Sequence, residues 1–181
     1  MIRRFIAFTL SAAILATAPV SSASATLASG ARAPMFTLPA AQGGRRLTIN
    51  LQRLLRSGPV VIYFFPRAFT EGCTIESRAF AEAVPLFRRA RTNVIGISGD
   101  DIETLGRFST EACRATFPMV SANADLMAQY EVALRPGVSN RTSYIITMNG
   151  TIAQVHNDMN PNDHVRTMLA AARALDDARR D

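Results

Sequence analysis

Lysine is missing from this 181-residue chain, whose 20 basic residues are all arginine. Chemistry that needs a lysine amine, such as Schiff-base formation, is thereby excluded, as is a phosphate loop built on Gly-Lys-Ser/Thr. Soft ligands are scarce as well. Cys73, Cys113, His156 and His164 are the only ones, and their separations match no zinc-site spacing. No metal site is expected, and the two histidines are read as structural. Neither a Gly-x-Ser-x-Gly elbow nor a Gly-x-Gly-x-x-Gly loop occurs, so no serine-hydrolase or dinucleotide site is indicated. Beyond the first residues, arginine pairs fall only at 45/46, 88/89 and 179/180, with no aromatic residues interleaved. Such scattered charge argues for a solvated surface rather than a nucleic-acid or membrane surface.

What the chain does contain fits one globular domain, since 48% of it is hydrophobic and 19% charged. Residues 1–25 read as a signal peptide. Arg3 and Arg4 precede an apolar run from Ile6 to Ala18, which is shorter than the about 20 residues a membrane-spanning helix needs. Ala23-Ser24-Ala25 then supplies the small-x-small cleavage pattern, so the mature domain is expected to span 26–181. Its removal lowers the formal net charge from +6 by the two arginines it carries. Export, to a bacterial periplasm, and no membrane attachment after cleavage are the expectations.

Along the mature chain, Ser29–Gln42 suggests an extended arm or hairpin that turns at Gly43-Gly44. A short helix is expected over Thr48–Arg56. Val60–Phe65 is an unbroken apolar and aromatic run ended by Pro66, the pattern of a strand buried on both faces. Cys73–Ala90 shows helical spacing at Ile75, Phe80, Ala83, Val84 and Phe87, with an internal Pro85 expected to kink the helix. Asn93–Ser98 reads as a second strand, Asp101–Cys113 as a helix capped by acidic residues, and Asp125–Tyr130 as a short helix. Asn149-Gly150 between Ser143–Thr147 and Thr151–His156 is a hairpin signal, and Asp163–Asp177 carries an amphipathic stripe. Strands alternating with helices predict an α/β fold, a central sheet with helices on both faces.

Chemistry concentrates in Pro66-Arg67-Ala68-Phe69-Thr70-Glu71-Gly72-Cys73. A strand end hands over to a loop that delivers one cysteine to the first turn of a helix, where unpaired backbone N–H groups and the helix dipole favour a thiolate. Thr70 stands within reach of that sulfur or of an oxygen bound beside it. Pro66, lacking an N–H, would shield one side. A buried inert thiol is the alternative for Cys73.

The run Tyr63-Phe64-Phe65-Pro66-x-x-x-Thr70-x-Gly72-Cys73-Thr74-x-Glu76 resembles the active-site segment of peroxiredoxins, in particular the bacterioferritin-comigratory-protein or PrxQ branch. Ala33-Pro34-x-Phe36-x-Leu38 is similar to the family's opening motif, and Arg141-Thr142-Ser143-Tyr144-Ile145-Ile146 to its arginine-bearing strand entry. The resemblance covers roughly residues 30–175. It implies a peroxiredoxin-type thioredoxin fold and a thiol-dependent peroxidase acting on hydrogen peroxide or organic hydroperoxides. By motif position Cys73 would be the peroxidatic cysteine, Thr70 and Arg141 would bind peroxide oxygens, and Pro66 would shield the sulfur. A dithiol protein such as a thioredoxin would be the reductant, no cofactor would be needed, and a monomer is implied. Glu76, one helical turn past Cys73, either orients the arginine or is a surface carboxylate of the first turn.

Two positions depart from the family pattern. Arg78 stands where many members carry a resolving cysteine, and Glu71 replaces the usual proline. Cys113 is then the one possible intramolecular partner, and resemblance to some branch members implies an atypical two-cysteine mechanism with a Cys73–Cys113 disulfide. Cys113 also fits a plain core position on its helix, or a permanent disulfide in an exported protein. Two rival functions are a thioredoxin-like disulfide oxidoreductase, disfavoured by the missing Cys-x-x-Cys, and a non-catalytic module on the same fold.

Overall fold

The computed structural model describes residues 26–180, so the expected signal peptide lies outside the described residues. The chain enters through a hairpin of β1 (Thr37–Gln42) and β2 (Arg45–Asn50), joined by Gly43-Gly44 with φ of +57° and +74°. A two-residue turn with both φ positive matches strand twist, and glycine adopts it without steric cost. Here the structure corrects the expected helix over Thr48–Arg56: Thr48 to Asn50 belong to β2, and only α1 (Leu51–Leu55) is helical. The boundary is set by Asn50, whose side chain accepts a hydrogen bond from Arg53 N at 2.8 Å.

The apolar run forms β3 (Val60–Phe64), paired in parallel with β4 (Asn93–Ser98) and antiparallel with β8 (Thr142–Ile146). With β5 (Met119–Ser121) and β9 (Ile152–Asn157) these make a seven-stranded mixed sheet in the order β2-β1-β5-β4-β3-β8-β9. The expected hairpin at Asn149-Gly150 joins β8 and β9. A small hairpin, β6 (Ala133–Arg135) with β7 (Val138–Ser139), turns at Pro136-Gly137, a turn dipeptide that the sequence reading did not use.

Strand alternation divides the core. Val61, Tyr63 and Phe65 face helices α2 (Glu71–Arg89), α3 (Ile102–Glu111) and α5 (His164–Asp177), whereas Val60, Ile62 and Phe64 face α1 and α4 (Ala124–Gln129). Helices thus flank both faces, as expected. The helix α2 continues through Pro85 and buries Cys73, Glu76, Ser77, Phe80, Val84 and Phe87. Ile75, expected in that stripe, is instead 46% exposed, because two residues from Cys73 is about 200° around a helix. Cys113, expected on α3, lies beyond its end in the turn after Ala112. Among the described residues no helix is long and apolar enough to cross a membrane.

Candidate active site

The end of β3 and the start of α2 bring Cys73 to the sheet's carboxyl edge. Phe65 is still tied to the sheet, its N–H donating to Ile97 O at 3.0 Å and its carbonyl accepting from the Ser139 hydroxyl at 3.1 Å. Beyond it the loop is braced by Asp100, whose Oδ2 accepts from Ala68 N at 2.7 Å and from the Ser98 hydroxyl at 2.8 Å. Asp101 caps α3, accepting from Thr104 N at 2.8 Å. Phe69 sits at φ +64° and stays exposed, edge-on to Phe108 and under the Arg107 guanidinium.

Thr70 is the N-cap residue of α2, and its hydroxyl donates to Arg67 O at 3.0 Å. Pro66 is half-buried at the loop's start. Cys73, the third helical residue, is buried, and both cysteines are free. Arg141, just before β8, reaches it from across 68 residues of chain: Nη2 donates to Cys73 Sγ at 3.5 Å. Gly72 makes room for that approach, since a Cβ there would stand 3.2 Å from Arg141 Nη2. The guanidinium is fixed on its other edges by Met159 O, 3.0 Å from Nε, and by Glu76 Oε2, which pairs with Nη1. A planar cation held at three points presents a permanent positive charge to the sulfur.

Glu76 is therefore not a surface carboxylate. It is fully buried, and burial pushes its carboxyl up to about 8 despite the Arg141 pairing. His164, the first residue of α5, lies 3.5 Å from Glu76 Oε1 through Nδ1. It has hydrogen-bond partners as expected of a structural histidine, Ser143 Oγ at 2.8 Å on Nδ1 and Asp158 O at 2.9 Å on Nε2. Yet it does not stand alone, for the His156 ring packs edge-on at 4.5 Å. Burial pushes His164 down to about 4. The missed signal for Glu76 was the 73, 76, 77, 80 stripe of α2; the His164 contact had none, because it depends on how α5 docks.

Cys113 approaches α2 one turn farther along. Its thiol meets Ser77 and the Tyr63 hydroxyl, and burial pushes it up to about 12. Ser77 follows Cys73 by four residues, so the two face the same way about 6 Å apart along the axis. The turn after Cys113 carries two successive left-handed residues, Arg114 at φ +48° and Ala115 at φ +55°. Among the described residues no cluster of three or more histidine, cysteine or acidic side chains is arranged to hold a metal.

The model of the AhpC/TSA family matches residues 29–155. A putative peroxiredoxin of Mycobacterium tuberculosis is 32% identical over 149 residues, covering 77% of this chain and 92% of that protein. The chloroplastic peroxiredoxin Q of Oryza sativa subsp. japonica is 29% identical over 150 residues, covering 81% and 67%. Among solved structures, the peroxidoxin BcpB of Mycobacterium tuberculosis superposes with a TM-score of 0.74 at 29% identity, covering 81% of this chain and 97% of that one. A Xanthomonas campestris peroxiredoxin Q gives 0.66 at 26% identity, over 77% and 91%. The mixed sheet and its helices are thus a peroxiredoxin-type thioredoxin fold.

Proposed function

This chain belongs to the AhpC/TSA family and is a thiol-dependent peroxidase; from that premise we propose an atypical two-cysteine cycle in which Cys73 is peroxidatic and Cys113 resolving. The observation that carries the first half is Arg141 Nη2 at 3.5 Å from Cys73 Sγ in a buried setting. The Cys73 thiolate attacks the distal peroxide oxygen, the O–O bond breaks, and water or an alcohol leaves after taking a proton. Cys73 is left as a sulfenic acid. Arg141 N–H groups hold the peroxide oxygens and stabilise charge on the leaving one, while the Thr70 hydroxyl oxygen accepts from the peroxide O–H. Pro66 covers the sulfur on the loop side.

In the second half the Cys113 thiol attacks the sulfenic sulfur, a disulfide forms and water leaves. An external dithiol of thioredoxin type then reduces the disulfide by exchange. With Cys113 pushed up to about 12, it is a neutral thiol while packed against Ser77 and Tyr63. Resolution therefore requires local opening, at the first turn of α2 and the turn after α3, before the sulfurs meet at disulfide distance. Hydrogen peroxide and organic hydroperoxides are the proposed substrates. The sequence of residues 1–25 supports an exported, periplasmic enzyme, and a monomer is the state proposed for it.

The test is intact mass with peptide mapping of the reduced chain after one equivalent of hydrogen peroxide. The cycle expects loss of two hydrogens and a Cys73–Cys113 cross-link, and in Cys113→Ser one added oxygen on Cys73. Retention of that single oxygen in the wild-type chain would replace the cycle with a one-cysteine peroxidase. An unchanged wild-type mass would refute peroxide reduction at Cys73.

A further inference from the structure

The site built around Cys73 holds one more buried polar group than the proposed reaction uses. Glu76 Oε1 has no hydrogen-bond partner among the described residues, although its carboxyl is fully buried. What it faces is His164 Nδ1, at 3.5 Å. The protonation of that ring follows from its other edge. Nε2 lies 2.9 Å from Asp158 O, and a carbonyl only accepts, so Nε2 carries the hydrogen. In the neutral ring Nδ1 is then a bare lone pair, accepting from the Ser143 hydroxyl at 2.8 Å. An ionised Glu76 would set an unpaired anionic oxygen against that lone pair, inside the protein. One added proton on Oε1 removes the repulsion and gives an O–H that shares the Nδ1 lone pair with the closer Ser143 hydroxyl.

We propose that Glu76 and His164 share one buried proton, carried on Glu76 Oε1, and that His164 is thereby the positioning residue that keeps Glu76 neutral and leaves the Arg141 charge to the Cys73 sulfur. This rests on the peroxidase reading for its purpose, though not for its geometry. Charge balance supports it. With Glu76 ionised, a Cys73 thiolate would share Arg141 with a second anion and the buried site would be net negative; with Glu76 neutral the cation and thiolate balance. The direction of both groups agrees, burial favouring neutral Glu76 and neutral His164 alike.

The titratable and charged groups around the pair come from every neighbouring element. Cys73 lies on α2, Tyr63 on β3, Arg141 before β8, His156 on β9 and Asp158 in the loop after it. Burial, the largest influence, and then His156 and Arg141 oppose a cation on His164, against Asp158, which favours one; the balance leaves the ring neutral. His156 Nε2 is itself buried without a partner among the described residues, so it makes no hydrogen bond to Glu76.

Infrared difference spectra of the reduced full chain test this directly. At neutral pH the wild-type chain should show the carbonyl stretch of a protonated carboxyl that Glu76→Gln removes, and raising the pH through about 8 should abolish it. In His164→Asn the amide N–H stands near the Nδ1 position and donates to a carboxylate. The band should then weaken at neutral pH, and alkylation of Cys73 by iodoacetamide should slow roughly tenfold, the effect of one unopposed neighbouring charge. If His164→Asn does not fold, the wild-type and Glu76→Gln spectra decide. Absence of a Glu76-dependent carboxyl band at neutral pH, or a His164 ring protonated on both nitrogens by nitrogen-15 NMR, would overturn the assignment. Neither readout involves turnover, so the band in a chain that consumes no peroxide would support the shared proton while counting against the peroxidase cycle.

Discussion

Raising the pH from 6.5 to 8 should destabilise the native fold through one buried carboxyl. Glu76 moves from its ordinary value of 4.5 to about 8 on folding, so between those limits the native state holds a proton the unfolded chain has released. Where the native state binds more protons, stability falls as pH rises. His164 works in the opposite sense at lower pH. Its value drops from 6.5 to about 4, so between these the unfolded chain holds the extra proton and stability rises with pH. From about 4.5 to 6.5 the two slopes oppose each other, and from 6.5 to 8 only Glu76 of this pair still titrates. The slope is one proton, so the loss over that window is about 2 kcal/mol. Other displaced groups act elsewhere: Asp176, lowered to about 2, matters only in acid, and Cys113, raised to about 12, only above its ordinary value of 9.0. Urea unfolding of the reduced chain across this window is the assay. The expected result is a wild-type midpoint that falls, at constant slope, relative to that of Glu76→Gln, since both chains carry Cys73 and differ only in the buried carboxyl. A wild-type midpoint that does not fall relative to Glu76→Gln from pH 6.5 to 8 would refute the burial argument for Glu76.

Arg141→Met should slow the first turnover with peroxide by about a hundredfold or more, since a positioned donor to the developing charge is lost. Arg141→Lys should recover little of it, because a single ammonium does not reach Sγ, Glu76 and Met159 O at once; stopped-flow rates on the reduced chain check both. Asp100→Ala removes the oxygen that accepts from Ala68 N and Ser98, leaving the loop before Cys73 slack. About a tenfold slower peroxide step is expected, the order of loss that misplaced reacting groups produce, together with faster disulfide formation once the sulfenic acid exists. A mutant slowed equally in both steps would show Asp100 to be merely structural.

The parts of the fold legible in the sequence are those that local pattern specifies. Val60–Phe64 had to be a strand buried on both faces, Asn149-Gly150 had to turn a hairpin, and Cys73 had to open a helix, because each follows from neighbours within a few residues. The leucines near Thr48 and Ile49 recur at helical spacing, yet pairing with Pro39 and Leu38 across the hairpin makes both residues strand. Cys113 was placed on a helix that ends two residues before it. For the site, Cys73 and Arg141 were found by motif and do meet. The burial of Glu76 was written in the stripe of α2 but is odd for a carboxylate. The His164 contact, 88 residues away in sequence, follows only from α5 packing on α2.

The two thiols occupy opposite settings within one core, and this governs the order of events. Cys73 faces a guanidinium, whereas Cys113 faces hydroxyls and is held neutral by burial. Cys113 becomes a nucleophile only when its segment leaves the core, and the two residues after it are held in the left-handed region, at φ +48° and +55°. For an arginine and an alanine that conformation costs about 1 kcal/mol each, and opening the turn relieves it. Glycine bears no such cost but gains freedom when the turn opens, so the net effect of Arg114→Gly with Ala115→Gly is to hold the turn closed by about 1 kcal/mol. A local opening that precedes disulfide formation would then be about fivefold rarer, while the reaction of Cys73 with peroxide, on the other side of α2's first turn, would keep its rate. Quenched-flow mass spectrometry separates the two steps, sulfenic acid from cross-link. Slower cross-linking with an unaltered first step is the expected pattern, and faster cross-linking in the double variant would mean that the strained turn presents Cys113 rather than restrains it.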